Sequence, residues 1–209
     1  MSGIPMERPE LGEDETAVLS GLADRVRELV EATVLTSVDS AEVAAVAAEV
    51  EALTARLAAE RRDAPPFVPS SERRMDRQIG NPVTGALNPV APPVELTVSS
   101  DGIVRGEFTL SPVYEGPPSY VHGGVSAMVL DQVLGMAAAA SGTPGMTATL
   151  ETRYRRPTPL GVPLSVEAKA SRVEGRKVYA SGTISGPDGR VTVEATAMFI
   201  MPQRFVPHS

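Results

Sequence analysis

Residues 122–140, HGGVSAMVLDQVLGMAAAA, decide how this chain is built. Between Val125 and Ala140 the only polar side chains are Ser126, Asp131 and Gln132. A helix apolar nearly all round is buried nearly all round, so this one is expected at the centre of a core. Burying an ionised carboxylate is costly unless something pairs it or uses it. Asp131 is therefore held by partners for structure or kept for chemistry. Gly123 and Gly124 at the helix start lean toward chemistry. They leave the first backbone N–H groups uncovered, and such groups bind developing negative charge.

Working outward, Ser141-Gly142-Thr143-Pro144 stops the helix. On both sides the hydrophobic period is two. Upstream, Val94–Ser99 and Ile103–Leu110 flank Ser100-Asp101-Gly102, a hairpin signal. Downstream, Thr147–Arg155 alternates Ala148, Leu150 and Tyr154 with Thr149, Glu151 and Arg153. In Leu164–Arg172, the residues Leu164, Val166, Ala168 and Ala170 face one way. Val178–Ser185 follows, then Val191–Met201 with Val191, Val193, Ala195, Ala197 and Phe199 on one face. Glu174-Gly175-Arg176 and Pro187-Asp188-Gly189 make the turns. An antiparallel sheet wrapped around one apolar helix buries both elements, an α+β arrangement.

The N-terminal third reads differently. Leu19, Leu22, Val26, Leu29 and Thr33 follow a, d spacing, as do Val43, Val46, Val50, Leu53 and Leu57. Asp39 with Glu42 forms a capping-box pattern for the second helix. Two helices with one apolar stripe each make an αα-hairpin whose stripes bury each other or dock elsewhere. Residues 64–93 carry seven prolines, a linker or an extended wrapping segment. The charged piece Ser71–Gln78 is compatible with a helical turn. The expected division is a helical hairpin over 1–63, a proline-rich linker over 64–93, the helix-and-sheet domain over 94–202 and a tail over 203–209.

The chain of 209 residues carries a net charge of −7, which argues against nucleic acid as the main partner. Residues 1–63 hold 14 acidic and 6 basic side chains, net −8, so the remainder is −7 + 8 = +1. Within that remainder, residues 153–177 hold seven basic side chains against Glu167 and Glu174. A local cationic patch suits a small polyanion, and it is equally the pattern of a solvated strand face. The sequence has no cysteine, which is compatible with a reducing compartment. The acidic start, MSGIPMERPELGEDE, is unlike a signal or transit peptide, and no apolar run approaches the roughly 20 residues that span a bilayer. The expectation is a cytoplasmic protein without a membrane span.

Several short stretches resemble a known family. They are Tyr114-Glu-Gly-Pro-Pro118, His122-Gly-Gly124, Asp131, Gly145-Met-Thr-Ala-Thr-Leu150, Tyr154-Arg-Arg-Pro157, Val173-Glu-Gly-Arg-Lys177 and Glu194-Ala-Thr196. The pattern is similar to hotdog-fold acyl-CoA thioesterases of the PaaI-like family, and most to the branch containing the mammalian carboxyl-terminal modulator protein. The resemblance covers about residues 94–202 and leaves 1–63 unmatched. It implies a hotdog fold, acyl-CoA as substrate with no separate cofactor, and a homodimer or homotetramer with its site at the subunit interface. The family's histidine and first glycine fall on His122 and Gly123, its carboxylate on Asp131 and its strand hydroxyl on Thr147. Some relatives carry Asn or Gln a few residues before the histidine, where this chain has Glu115-Gly-Pro-Pro118.

Geometry gives an independent argument for a dimer. Gly123 and Asp131 are eight residues apart, about 12 Å along a helix. A reacting carbonyl sits within about 3 Å of both its oxyanion donor and its attacking group. One helix cannot supply both, whereas two antiparallel helices across a two-fold axis can. The candidate catalytic residues are Asp131 and Gly123, with His122 and Thr147 added by the resemblance. Candidates for substrate binding are Gly124, Met128 beside an acyl channel, and Arg155, Arg156, Arg176 and Lys177 for the phosphates of coenzyme A. With His122 and His208 the only histidines, no metal site is implied. The favoured reading is thioester hydrolysis. The alternative is a hotdog binding or regulatory protein that uses its N-terminal helices for interaction. A hotdog hydratase would pair histidine and carboxylate in a different local order.

Overall fold

The computed structural model describes residues 9–68 and 78–203. The chain forms two compact units, Met1–Val90 and Ala91–Ser209.

In the first unit, α1 (Glu13–Leu35) and α2 (Ser40–Ala58) are joined by a short turn. The Asp39 carboxylate accepts from the Ala41 and Glu42 N–H groups at 3.0 Å and starts α2. Among the described residues the Glu42 side chain does not return the bond, so only half of the capping box is made. Arg62 pairs with Glu15, and Leu11 N–H bonds the Phe67 carbonyl at 3.1 Å, which brings the chain after α2 back to the start of α1. On α1, Arg27 donates to the Asn88 carbonyl at 3.1 Å. The turns around Asn81 are closed by that residue's own side chain, which accepts from Val83 and Thr84 N–H. The helical turn read in Ser71–Gln78 lies almost wholly outside the described residues.

The second unit is a six-stranded antiparallel sheet on one helix. The strands are β1 (Glu95–Val98), β2 (Val104–Phe108), β3 (Met146–Tyr154), β4 (Leu164–Glu174), β5 (Lys177–Ser185) and β6 (Val191–Ile200). Their order is β1-β2-β4-β5-β6-β3. The β1–β2 turn is set by Gly102 at φ 77° and by the Asp101 carboxylate. A hydrogen bond from the Ser99 hydroxyl holds that carboxyl below its ordinary range. The helix α3 (Gly123–Ala140) contacts every strand. Val104, Phe108, Leu164, Val166, Ala168, Val178, Ala180, Ile184, Val193, Ala195, Ala197 and Phe199 are buried on the helix side. The α+β helix-and-sheet fold expected from the period of two is the fold observed.

One expectation is corrected. The helix buries Ser126, Val129, Leu130, Val133, Leu134, Ala137 and Ala138, but its other face, with Ala127, Met128, Asp131, Gly135 and Met136, is only half-covered. The reason is geometric: a helix seated on one sheet is covered from the sheet side alone. By length and composition α3 is the one described helix able to cross a membrane, and here it packs on the sheet.

Candidate functional site

The loop leading into α3 is tightly tied. A single 3-10 turn, Pro112–Tyr114, ends at Glu115, whose carboxylate accepts from the Ser119 N–H at 2.6 Å. Ser119 sits at φ 71°, a left-handed conformation uncommon for a residue with a Cβ. Such strain persists only where the surroundings enforce it, and it clusters at functional loops. Gly116 N–H bonds the Tyr120 carbonyl and His122 N–H bonds the Tyr114 carbonyl, both at 2.9 Å. A Cβ at Gly116 would lie 2.7 Å from His122 Cα, so only glycine lets the loop pass this close.

His122 is the N-cap of α3. Its Nδ1 accepts from the Gly124 N–H at 3.0 Å, so Nδ1 carries no proton there and the remaining ring N–H is on Nε2. A helix leaves its first N–H groups without helical partners. Here Gly124 N–H goes to the His122 ring, and Val125 and Ser126 N–H go to the His122 carbonyl at 3.0 and 3.4 Å. Gly123 N–H is left without a partner among the described residues. Of the two glycines, the free donor on the positive end of the helix dipole is thus Gly123.

Asp131 lies two turns on, on the half-covered face, with Met128 one turn before it. Thr147 Oγ1 donates to Asp131 Oδ1 at 2.9 Å. The strand pattern alone would aim Thr147 the other way, together with Thr149, Glu151 and Arg153. A bulge between Thr147 and Thr149 reverses this: Thr147 pairs with Phe199, whose ring faces α3, while Thr149 pairs with the next residue, Met198. A β-bulge re-aims a side chain in this way, and here it delivers a hydroxyl to the carboxylate.

Sequence reasoning missed Tyr154 as a site residue, although it stands in a motif stretch. At the far end of β3, its hydroxyl donates to the Gly123 carbonyl at 2.9 Å. A Cβ at Gly123 would come within 3.3 Å of the Tyr154 ring. The available signal was an aromatic residue with a polar tip at the inward-facing end of the strand that also carries Thr147.

The four basic candidates fall into two places. Arg155 and Arg156 N–H both bond the Thr192 carbonyl at one end of β6, while Lys177 pairs with Ile200 at the other. The separation is 200 − 192 = 8 residues, about 26 Å of strand. Within one chain they do not meet. Arg155 pairs with Glu194, whose carboxyl this contact holds below its usual range while Arg155 is raised in turn. Arg156 bonds the Val191 carbonyl at 3.1 Å and Arg176 the Met201 carbonyl at 3.0 Å. Lys177 makes no such bond among the described residues. A cleft of about 380 Å³ on the outer sheet face is lined by Glu151, Arg153, Glu167, Lys169, Thr183 and Glu194, away from Asp131. Among the described residues no cluster of three or more His, Asp or Glu could hold a metal.

With this geometry in place, the comparisons with known proteins are specific. The thioesterase superfamily model matches residues 119–193, from the strained loop to the start of β6. A crystal structure of a thioesterase superfamily protein is 39% identical, with a TM-score of 0.80, over 93% of this chain and 97% of that one. Acyl-coenzyme A thioesterase THEM4 of Xenopus laevis is 40% identical over 94 residues, 44% of this chain and 42% of that protein. THEM4 of Mus musculus is 39% identical over 87 residues, 41% of this chain and 37% of that protein. The chain thus matches about two fifths of the length of these curated relatives. Near-full-length likeness to a solved member, together with the family match over the site, decides the classification: this chain belongs to the thioesterase superfamily.

Proposed function

We propose that the protein hydrolyses acyl-coenzyme A thioesters at a site completed by a second copy of the chain. The observation that carries this reading is the pairing of one free helix N-terminal donor, Gly123 N–H, with one carboxylate oriented by a hydroxyl, Asp131 with Thr147. A thioester needs these two groups: a donor for the oxygen that becomes negative, and a base or nucleophile for the carbonyl carbon. The names of the relatives point to the same substrate class.

The second copy follows from distance. The two groups lie about 12 Å apart on one helix, too far to serve one carbonyl. β3 is the longer of the two edge strands, nine residues and largely exposed, and edges of that kind take another strand. Pairing β3 antiparallel with its copy sets the half-covered face of one α3 against that of the other. It places Gly123 of each protomer beside the partner's Asp131. It also brings the Arg155–Arg156 end of one sheet next to the Arg176–Lys177 end of the other, so one coenzyme A would meet both basic pairs. The assembly is a homodimer, or two dimers in a homotetramer, and we place it in the cytoplasm.

In the proposed reaction the thioester oxygen points at Gly123 N–H. Asp131 takes a proton from water as the water oxygen attacks the carbonyl carbon, Thr147 holds the carboxylate in line, and the carbon–sulfur bond breaks as Asp131 returns that proton to the departing sulfur, releasing the thiol and the acid. Direct attack by Asp131 would give an anhydride that water then opens; transfer of label from heavy-oxygen water into Asp131 distinguishes this route. The acyl chain lies beside Met128. Thiol release from saturated acyl-coenzyme A esters, acetyl to palmitoyl, tests the reading. Turnover by the wild-type protein is expected for part of this series. Silence at every chain length ends the hydrolase reading and leaves a binding protein.

A further inference from the structure

The peptide unit between Gly123 and Gly124 is held at both ends. Its N–H donates to His122 Nδ1 at 3.0 Å, and its carbonyl accepts from the Tyr154 hydroxyl at 2.9 Å. The peptide just before it carries the Gly123 N–H, the one first-turn donor without a partner among the described residues. Gly123 joins the two peptides, and a residue without a Cβ has the widest freedom in φ and ψ. The peptide that carries the Gly123 N–H is tied at its own carbonyl, which accepts from the Val125 and Ser126 N–H groups at 3.0 and 3.4 Å. The two bonds on the next peptide hold the other side of Gly123.

We propose that Tyr154 is a positioning residue for the oxyanion donor: its hydroxyl anchors the Gly123–Gly124 peptide and thereby aims the Gly123 N–H. The ring has a second effect. Its Cε1, Cζ and Oη atoms each lie 3.3 Å from where a Cβ at position 123 would stand, so the tyrosine also explains why that position is glycine. The same strand grips α3 at two points, through Thr147 at Asp131 and through Tyr154 at Gly123. β3 is then the element that aligns both halves of the site. A donor aimed at the oxygen only as charge develops acts on the transition state, so the anchor is read in kcat and not in KM. Tyr154 is 54% exposed on the single chain, so its ring is not a core element whose truncation would unfold the protein.

This inference rests on the thioester-hydrolysis reading, and its test has one readout independent of turnover. Tyr154→Phe keeps the ring and removes only the hydroxyl. With the acyl-coenzyme A that the wild-type protein turns over fastest, kcat is expected to fall roughly tenfold and KM to stay within about twofold. That is less than the loss on deleting an oxyanion donor itself. Exchange of the Gly124 amide hydrogen is expected to speed up about tenfold, because the peptide it belongs to has lost its tie to Tyr154. An unchanged kcat in an active enzyme overturns the proposal. So does a fall in activity carried by KM alone. An unchanged Gly124 exchange overturns it whatever the kinetics. A wild-type protein silent toward every acyl-coenzyme A removes the hydrolase reading instead, and Gly124 exchange then decides by itself whether Tyr154 anchors the turn.

Discussion

Two helices of nearly equal length carry most of the contrast in this molecule. α2 has 19 residues and buries none of them; α3 has 18 and buries seven. Both are rich in alanine, leucine and valine. On α2 the apolar residues Val43, Val46, Leu53 and Leu57 form a stripe, and on the single chain they are 40–60% exposed. On α3 the apolar residues run round the helix, and the sheet takes one side of it. A stripe says that a helix has a face. It does not say what covers that face. Composition all round, with glycines and a lone carboxylate, says more, because such a helix has no face to give to water.

The sharpest test of that difference is chemical. α2 carries Glu42, Glu49 and Glu51 on a solvated surface, whereas Asp131 is the only charged residue of α3. Asp131→Asn keeps the volume and removes the base, so hydrolysis should fall by about 10²–10⁴-fold or more. Glu49→Gln in α2 should leave kcat and KM alone. Thiol-release kinetics on the two variants decide, with circular dichroism confirming that both are folded. Near wild-type turnover by Asp131→Asn would remove that residue from the chemistry.

The next test is mechanical. Leu134 is fully buried against the sheet. Leu134→Ala should lower the free energy of unfolding by about 2–5 kcal/mol through lost burial and a residual cavity, measured by urea denaturation. A cost below about 1 kcal/mol would mean that the helix–sheet core is looser than its packing indicates.

Much of the fold was legible because hydrophobic period is a physical record of burial. Alternation in Val191–Met201 names the inward residues of β6, and Ser141–Pro144 marks where α3 stops. The candidate site was legible only as residue types: the glycines at the helix start and Asp131 within the helix. Aim was not legible. Period two points Thr147 away from α3, and only the bulge turns it back. Nor does the sequence show that the His122 ring takes the Gly124 N–H and leaves that of Gly123 free. Tyr154 read as one more inward aromatic, because its partner is a backbone carbonyl with no side-chain signature. The basic cluster read as one patch because 153–177 is one stretch of sequence. A hairpin carries its turn, Arg176 and Lys177, to the opposite end of the sheet from its start.

The two units differ in charge as well, with −7 over residues 1–90 and no net charge over the rest. If the cations of the second unit serve coenzyme A, neutralising Arg176 and Lys177 together should raise KM several-fold with little change in kcat, since their contacts are remote from the reacting carbon. The effect should nearly vanish for a pantetheine thioester, which lacks the nucleotide. Equal losses on both substrates would give these residues a structural role, as the Arg176 bond to the Met201 carbonyl allows.

The smallest effect is expected where the contrast began. Leu53, in the middle of the α2 stripe, is 50% exposed on the single chain. Leu53→Ser removes an apolar side chain that keeps half of its exposure to water on the single chain, and it leaves no enclosed cavity. The helix-propensity cost of serine is a few tenths of a kcal/mol, so the change in unfolding free energy should stay near 0.5 kcal/mol. Turnover should not move, because none of the proposed site residues lies on α2. Denaturation at two protein concentrations tenfold apart is the measurement. A cost above about 2 kcal/mol that shrinks on dilution would show that another copy of the chain covers this stripe, since linkage makes stability depend on protomer concentration only where association buries the mutated side chain. The same cost without concentration dependence would place the cover within the chain and would end the contrast between a covered α3 and an uncovered α2.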